Sequence, residues 1–229
     1  MILSLDNQVL HTISDFKVGI AVYQNIVIDE SPKMLKGRLE FFQETIRNDL
    51  TESTILDYPG VSEWRQTFKT FGMDPARYPP SHEALFRRIS KGYDLPFIHS
   101  AADLNNFFSL QYEIPIGIYN LHALHDYIKI TQGTEEEQFE GLNGRNNQMN
   151  GKLTSIDKKG AFGSPIVDSV RTKTDPGTTE ALQIFYIQPS LPLRDTEQLL
   201  QAAADMFTQL HSGDSSLYLL HGKQPEVII

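Results

Sequence analysis

The spacing of the apolar residues changes character near Pro115, and that change constrains the fold more than any other feature of the chain. Ahead of it, Leu35, Leu39, Phe42, Ile46 and Leu50 recur three and four apart, the period of a helix that buries one face. Ser31 is the expected N-cap of that helix, with Pro32 in its first turn. A second helix is predicted after Ser62, with Trp64, Phe68 and Phe71 as its core stripe and Gly72 as its stop. Ser81 is expected to cap a third that ends at Gly92. A fourth begins near Ser100, where Ser100 and Asp103 have capping-box spacing, and runs to about Leu110. Beyond Pro115, Ile116 and Ile118, then Ile128 and Ile130, alternate as strands do. Residues 131–160 read as turns and short strands, and 180–187 as a strand. Two elements flank this pattern. Phe16, Val18, Ile20 and Val22 alternate within 16–28 as a half-buried strand, and Asp195 with Gln198 opens a last helix. That helix carries the stripe Leu199, Ala203, Met206 and Leu210 and ends at Gly213. Helices and strands thus come in runs, which predicts an α+β fold rather than a βαβ repeat. Residues 1–229 read as a single domain without internal repeats.

Composition narrows the possibilities. With 229 residues and 40% hydrophobic side chains, the chain can bury a substantial core. No apolar stretch approaches the roughly 20 residues of a membrane span. Residues 1–14 carry Asp6 and His11 and lack a basic n-region, so no signal peptide is expected. Zero cysteines exclude disulfides, thiol nucleophiles and thiolate metal sites, and a reducing cytoplasm is the expected setting. The formal net charge of −9 suits non-specific nucleic-acid binding poorly, because such binding draws on many phosphate contacts. Two local clusters remain, Arg87 with Arg88 and Lys91, and Lys152 with Lys158 and Lys159; each reads either as a basic patch or as a solvated face.

His122, His125 and Asp126 have helical ligand spacing but lie between two strand-like runs, where an exposed polar loop is expected and no metal or other cofactor is called for. The phosphate-binding and dinucleotide glycine patterns and the nucleophile elbow are absent. Two polar constellations stand against apolar runs. The first is Asp103, Asn105, Asn106 and Ser109: two asparagines inside a helix either bond a neighbouring backbone or line a ligand pocket. The second follows Gly160 and Gly163, where Ser164-Pro165 turns the chain and Asp168, Ser169, Arg171 and Thr172 supply acceptors, donors and one fixed positive charge. That inventory suits a small zwitterion or a phosphate-bearing ligand, and equally a structured hairpin. Asn106 and Arg171 are expected to face one cavity, with Arg171 partnered by a ligand, Asp103 or Asp168.

The same stretches carry a family resemblance. PSHEALFRR (80–88), ADLNNFFSL (102–110), PIGIYNL (115–121), FEGLNG (139–144), GAFGSP (160–165) and TTEALQIFYIQP (178–189) follow one another in an order and spacing that resembles the tRNA-binding and editing domain of the phenylalanyl-tRNA synthetase beta chain, above all its free-standing versions. The resemblance spans Trp64 to Gln188. It implies a three-layer fold with an unusual β-sandwich core and flanking helices. It also implies a pocket that, in the synthetase, hydrolyses tyrosine wrongly esterified to the phenylalanine tRNA. The chain lacks the segments of an aminoacylation core, so a trans-acting deacylase is implied and a ligase is not. The expected substrate-binding residues are Asn105, Asn106, Gly163, Asp168, Ser169, Arg171 and Thr172, acting on an aminoacylated tRNA end or an amino-acid-like ligand, with Arg87, Arg88 and Lys91 as tRNA contacts. Ester hydrolysis of this kind needs no protein nucleophile. The chain departs from the synthetase pattern at Gly117, where the motif has a histidine, and at Gln183, where a glutamate reads the tyrosine hydroxyl. The downstream Thr-x-Ala motif has no counterpart. Tyrosine specificity is therefore not carried over. A non-catalytic module that kept the fold to bind a protein or small ligand is the alternative, and the net charge favours it.

Overall fold

The computed structural model describes residues 1–229. Two sheets face each other, and helices cover the outer face of one of them. The first sheet has the order β11-β1-β4-β7-β8, built from β1 (Ile2–Leu5), β4 (Tyr127–Gln132), β7 (Leu153–Asp157), β8 (Gly160–Gly163) and β11 (Glu226–Ile228). Only β1 and β4 run parallel. The second sheet is antiparallel throughout, in the order β10-β2-β9-β3, from β2 (Lys17–Gln24), β3 (Ile116–Asn120), β9 (Ala181–Ile187) and β10 (Asp214–Leu220). The sheets meet where Ser155 and Tyr186 share a 2.8 Å hydrogen bond and Phe162 packs edge-on against Tyr119. A small hairpin, β5 (Gln138–Glu140) with β6 (Asn146–Gln148), stands apart. The fold is of the α+β class that the sequence pattern predicts, with the sandwich and flanking helices that the family resemblance implies.

Helices α2 (Lys33–Asp49), α3 (Pro59–Thr70), α4 (Ser81–Ser90), α5 (Ser100–Tyr112) and α6 (Leu193–His211) occupy the predicted stretches, and a short α1 (Asn7–Thr12) precedes them. Trp64, Phe68 and Phe71 of the second stripe are all core. The helix starts differ from expectation. The N-caps are Pro32 and Pro80, adjacent to the predicted Ser31 and Ser81, and Pro192, three residues before the predicted Asp195, and none of those three helices has a side-chain cap. Proline needs no donor partner there and its φ is pre-set. The Ser31 hydroxyl is instead spent on Asp103, 2.5 Å away. The capping box at Ser100 is likewise replaced: His99 is the N-cap, its Nδ1 accepting from Ala102 N at 3.2 Å.

Strand β2 is buried along nearly all its length rather than half-buried, because the second sheet has the first sheet on one side and α6 on the other. Gly19 makes that close packing possible, since a Cβ there would lie 2.4 Å from Leu200. The core stripe of α6 is Leu200, Ala203, Ala204, Phe207 and His211, about one position round from the predicted one, leaving Leu199, Met206 and Leu210 half-buried. No helix is long and apolar enough to cross a membrane.

Candidate functional site

Asn105 shows why a helix tolerates asparagine here. Its Nδ2 donates to Ile116 O on the edge strand β3 at 2.9 Å, and its Oδ1 accepts from Gln183 Nε2 on β9 at 2.9 Å. Gln183 Oε1 in turn accepts from the Tyr23 hydroxyl at 2.8 Å. The position matched to the synthetase's glutamate is thus locked among internal partners. One N–H of Asn105 remains unspent. The neighbouring Asn106 is half-buried, and its side chain makes no hydrogen bond within the protein.

Opposite the asparagines, the loop after β8 presents Asp168. Its backbone is held by a bridge to Gly163 and by Leu142 N, which donates to its carbonyl at 2.9 Å. Its Oδ1 accepts a 2.6 Å hydrogen bond from the Tyr119 hydroxyl. That phenol passes between two glycines. A Cβ would lie 2.1 Å from the Tyr119 oxygen at Gly117 and 2.2 Å from it at Gly163. The glycine in place of the synthetase's histidine is therefore a requirement of this arrangement, because any side chain at 117 would evict Tyr119. Burial pushes the Asp168 carboxyl up to about 7, against the opposing pull of the Tyr119 bond. Tyr119 is itself held well above the usual phenol range by burial and by the neighbouring carboxylate. Asp168 Oδ2 has no protein donor, so one oxygen of this carboxyl is unpaired where the residue lines the cleft.

Asn105, Asn106 and Asp168 stand at the junction of two recesses. One, of about 120 Å³, runs between α4, α5 and the Ser164–Asp168 loop. The other, of about 410 Å³, opens toward Ile98, His99, Leu142, Lys173 and Asp175. The geometry separates the expected substrate-binding residues. Asn105, Asn106 and Asp168 converge, and Gly163 shapes the cleft from behind. Ser169 and Thr172 are buried in the turn that follows: Ser169 Oγ accepts from Arg171 N at 3.0 Å, and Thr172 Oγ1 lies 3.4 Å from Phe162 O.

Arg171 does not share the cavity of Asn106. It forms a fork with Asp157, Nη1 to Oδ2 at 3.0 Å and Nη2 to Oδ1 at 2.9 Å, and donates to Ala123 O at 3.0 Å. Asp157 is fully buried, so this pair pins the loop to β7. Neither Asp103 nor Asp168 is its partner. Asp103 accepts from Ser31 and from Ile98 N at 2.9 Å, tying two loops to α5.

The basic cluster of α4 is partly spent as well. Arg87 donates to buried Glu83 Oε1 from Nε at 2.8 Å and from Nη2 at 2.6 Å, and Arg65 reaches the same oxygen at 2.7 Å. Arg88 donates to Asp94 O at 2.8 Å, while Lys91 is exposed beyond the helix end. At 122–126, Asp126 pairs with Lys158 at 2.6 Å and no three His, Asp or Glu side chains converge. Tyr119, Ser81 and Lys173 were not legible as site residues. Only the Gly117-x-Tyr119 spacing signals that one side chain leans over the other position on the same face of a strand.

The fold and cleft define a class: an α+β domain that presents a polar recess beside the edge strand of a sandwich. The chain belongs to the B3/4 domain family, the domain found in the phenylalanyl-tRNA synthetase beta chain, whose family model matches residues 63–211. It is 29% identical over 220 residues to the uncharacterized protein YhzB of Bacillus subtilis (strain 168), covering 96% of this chain and all of that protein. It is also similar to an N-terminal fragment of the phenylalanyl-tRNA synthetase beta-subunit from Pyrococcus horikoshii, at 12% identity and a TM-score of 0.43. That likeness covers 94% of this chain and 49% of the other.

Proposed function

We propose that the cleft binds the aminoacyl end of a tRNA, or the corresponding amino acid, and hydrolyses the ester in trans, in the cytoplasm. The observation that carries this reading is the convergence of Asn105, Asn106 and Asp168 with hydrogen-bonding capacity to spare. Membership of the B3/4 family supports the choice of ligand class.

The chemistry needs no nucleophilic side chain. Asp168 Oδ2 takes a proton from a bound water as its oxygen bonds to the acyl carbon. The free N–H groups of Asn105 and Asn106 donate to the carbonyl oxygen as negative charge develops there. The carbon–oxygen bond to the ribose then breaks, and the proton on Asp168 passes to the departing ribose oxygen. A carboxyl near neutrality suits both halves of that exchange.

The test is a panel of misacylated tRNAs incubated with pure protein, with deacylation followed over time. At least one charged tRNA should be lost faster than in buffer, and Asp168→Asn should slow that loss by roughly 100-fold or more. No acceleration across the panel would refute hydrolysis. A second reading, a non-catalytic module for a small ligand, draws on the net charge of −9 and on Arg87 being engaged by Glu83. Amino-acid binding without any tRNA retardation in a gel would favour it.

A further inference from the structure

We propose that the smaller recess is a selection pocket for a small, hydrogen-bonding aminoacyl side chain, and that it excludes aromatic ones. The inference rests on the cleft being an aminoacyl site and specifies which acyl groups it takes.

Size is the first argument. The recess measures about 120 Å³. An enclosed apolar cavity of roughly 150 Å³ is what admits a bare benzene ring, so a phenyl or phenol with its methylene overfills this recess and projects into the larger one, where the nucleotide has to sit.

Unspent polar capacity is the second. Ser109 is 2% exposed, yet its hydroxyl makes no hydrogen bond within the protein. A helical serine usually bonds the carbonyl four residues back, which here would be Asn105 O. It does not, and the oxygen keeps its access to the recess, open to a partner that enters there. Ser81, on the first turn of α4, also lines the recess with a free hydroxyl. Ser164 shows the contrast. Its Oγ accepts from Ile166 N at 3.2 Å and Val167 N at 3.1 Å and donates to Val167 O at 3.0 Å, so it is fully engaged in its own turn. Two hydroxyls from two different helices are thus kept free along the wall of the recess.

The remaining walls are Leu85, Ile116 and Val167, which suit a short aliphatic stem. Entry lies at Asn106 and Asp168, where the recess joins the larger one. An acyl group held there by its carbonyl can send its side chain toward Ser109, with the nucleotide in the larger recess beside Lys173. A group of two to four heavy atoms carrying a hydroxyl satisfies both the volume and the free serines.

The experiment uses the full chain and three non-hydrolysable probes: 3′-amino-3′-deoxyadenosine acylated with serine, alanine or phenylalanine, each titrated by calorimetry. The seryl amide should bind about tenfold more tightly than the alanyl amide, the worth of one neutral hydrogen bond. The phenylalanyl amide should give no heat of binding. Ser109→Ala should bring the seryl amide down to the alanyl level; Ser81→Ala is the second variant if the first does not fold. Phenylalanyl binding as tight as seryl would overturn the selection pocket and leave the aminoacyl site standing. Absence of binding by all three would overturn both.

Discussion

The Tyr119 hydroxyl donates a 2.6 Å hydrogen bond to Asp168 across the edge of the second sheet, through a gap that exists only because residues 117 and 163 are both glycine. One phenol, two absent side chains and one carboxylate therefore form a single unit. The chemistry proposed for the cleft depends on all four.

Gly117→Ala tests that unit. The added methyl would overlap the Tyr119 oxygen and come within 2.9 Å of Asp168 Oδ1. Tyr119 must then move away, at a cost of roughly 1–3 kcal/mol for overpacking. Chemical denaturation should show that loss together with weaker ligand binding. A variant as stable as wild type would mean that the phenol has other room.

Tyr119→Phe removes the only side-chain donor to Asp168 and leaves the ring in place. Loss of a hydrogen bond to a carboxylate should cost about 1.5–3 kcal/mol at pH 8, where Asp168 is ionised, and less at pH 5, where it is protonated. Equal losses at the two pH values would refute the assignment of a near-neutral carboxyl.

The pH dependence of stability has two opposed contributions. Burial pushes His82 down to about 3 and His211 down to about 4. The unfolded chain protonates both near 6.5, so stability falls as pH drops below that value. Asp168 acts in the other sense. Between about pH 4 and pH 7 the folded chain holds a proton that the unfolded chain gives up, so its contribution grows as pH falls. Asp168→Asn removes this counterweight. The stability lost between pH 7 and pH 5 should be larger in the variant by roughly 2 kcal/mol, read from urea midpoints. Identical pH dependence would show that Asp168 is already ionised at pH 5.

Arg171→Ala should behave as a scaffold variant. It strands the fully buried carboxylate of Asp157, and unfolding should lose about 3–5 kcal/mol. The cleft residues do not touch Arg171, so ligand affinity of the folded fraction should stay at the wild-type value. Lost binding with unchanged stability would return Arg171 to the site.

Trp64→Ala probes the core under α3. The indole is fully buried, with edge-to-face contacts to Phe16, Phe68 and Tyr186. Denaturant unfolding should lose roughly 3–5 kcal/mol.

Apolar periodicity by itself determined the helices at Lys33–Asp49 and Pro59–Thr70, the strands at Ile116 and Ile128, and the α+β class, because burying one face of a local element needs nothing beyond its own spacing, while cap and stop residues marked the helices at Ser81 and Ser100. Asn105 and Asn106 could likewise be singled out from sequence, since asparagine is out of place inside a helix. Only the tertiary structure decided the rest. Strands β1, β10 and β11 exist because of partners far away in sequence, such as Ile2 beside Tyr127 and Ile228, and short terminal runs carry no period of their own. Helix caps depended on competition: Ser31 was available to its own helix, but Asp103 lies 2.5 Å away and claims its hydroxyl. Arg171 looked like a ligand partner because its charge needed one, and nothing local distinguishes Asp157 on β7 from Asp168 on the next loop. The site follows the same logic. Asn105, Asp168, Tyr119 and Ser109 come from a helix, a loop, an edge strand and the next turn of that helix, and their meeting depends on how the sheets stack rather than on any spacing along the chain.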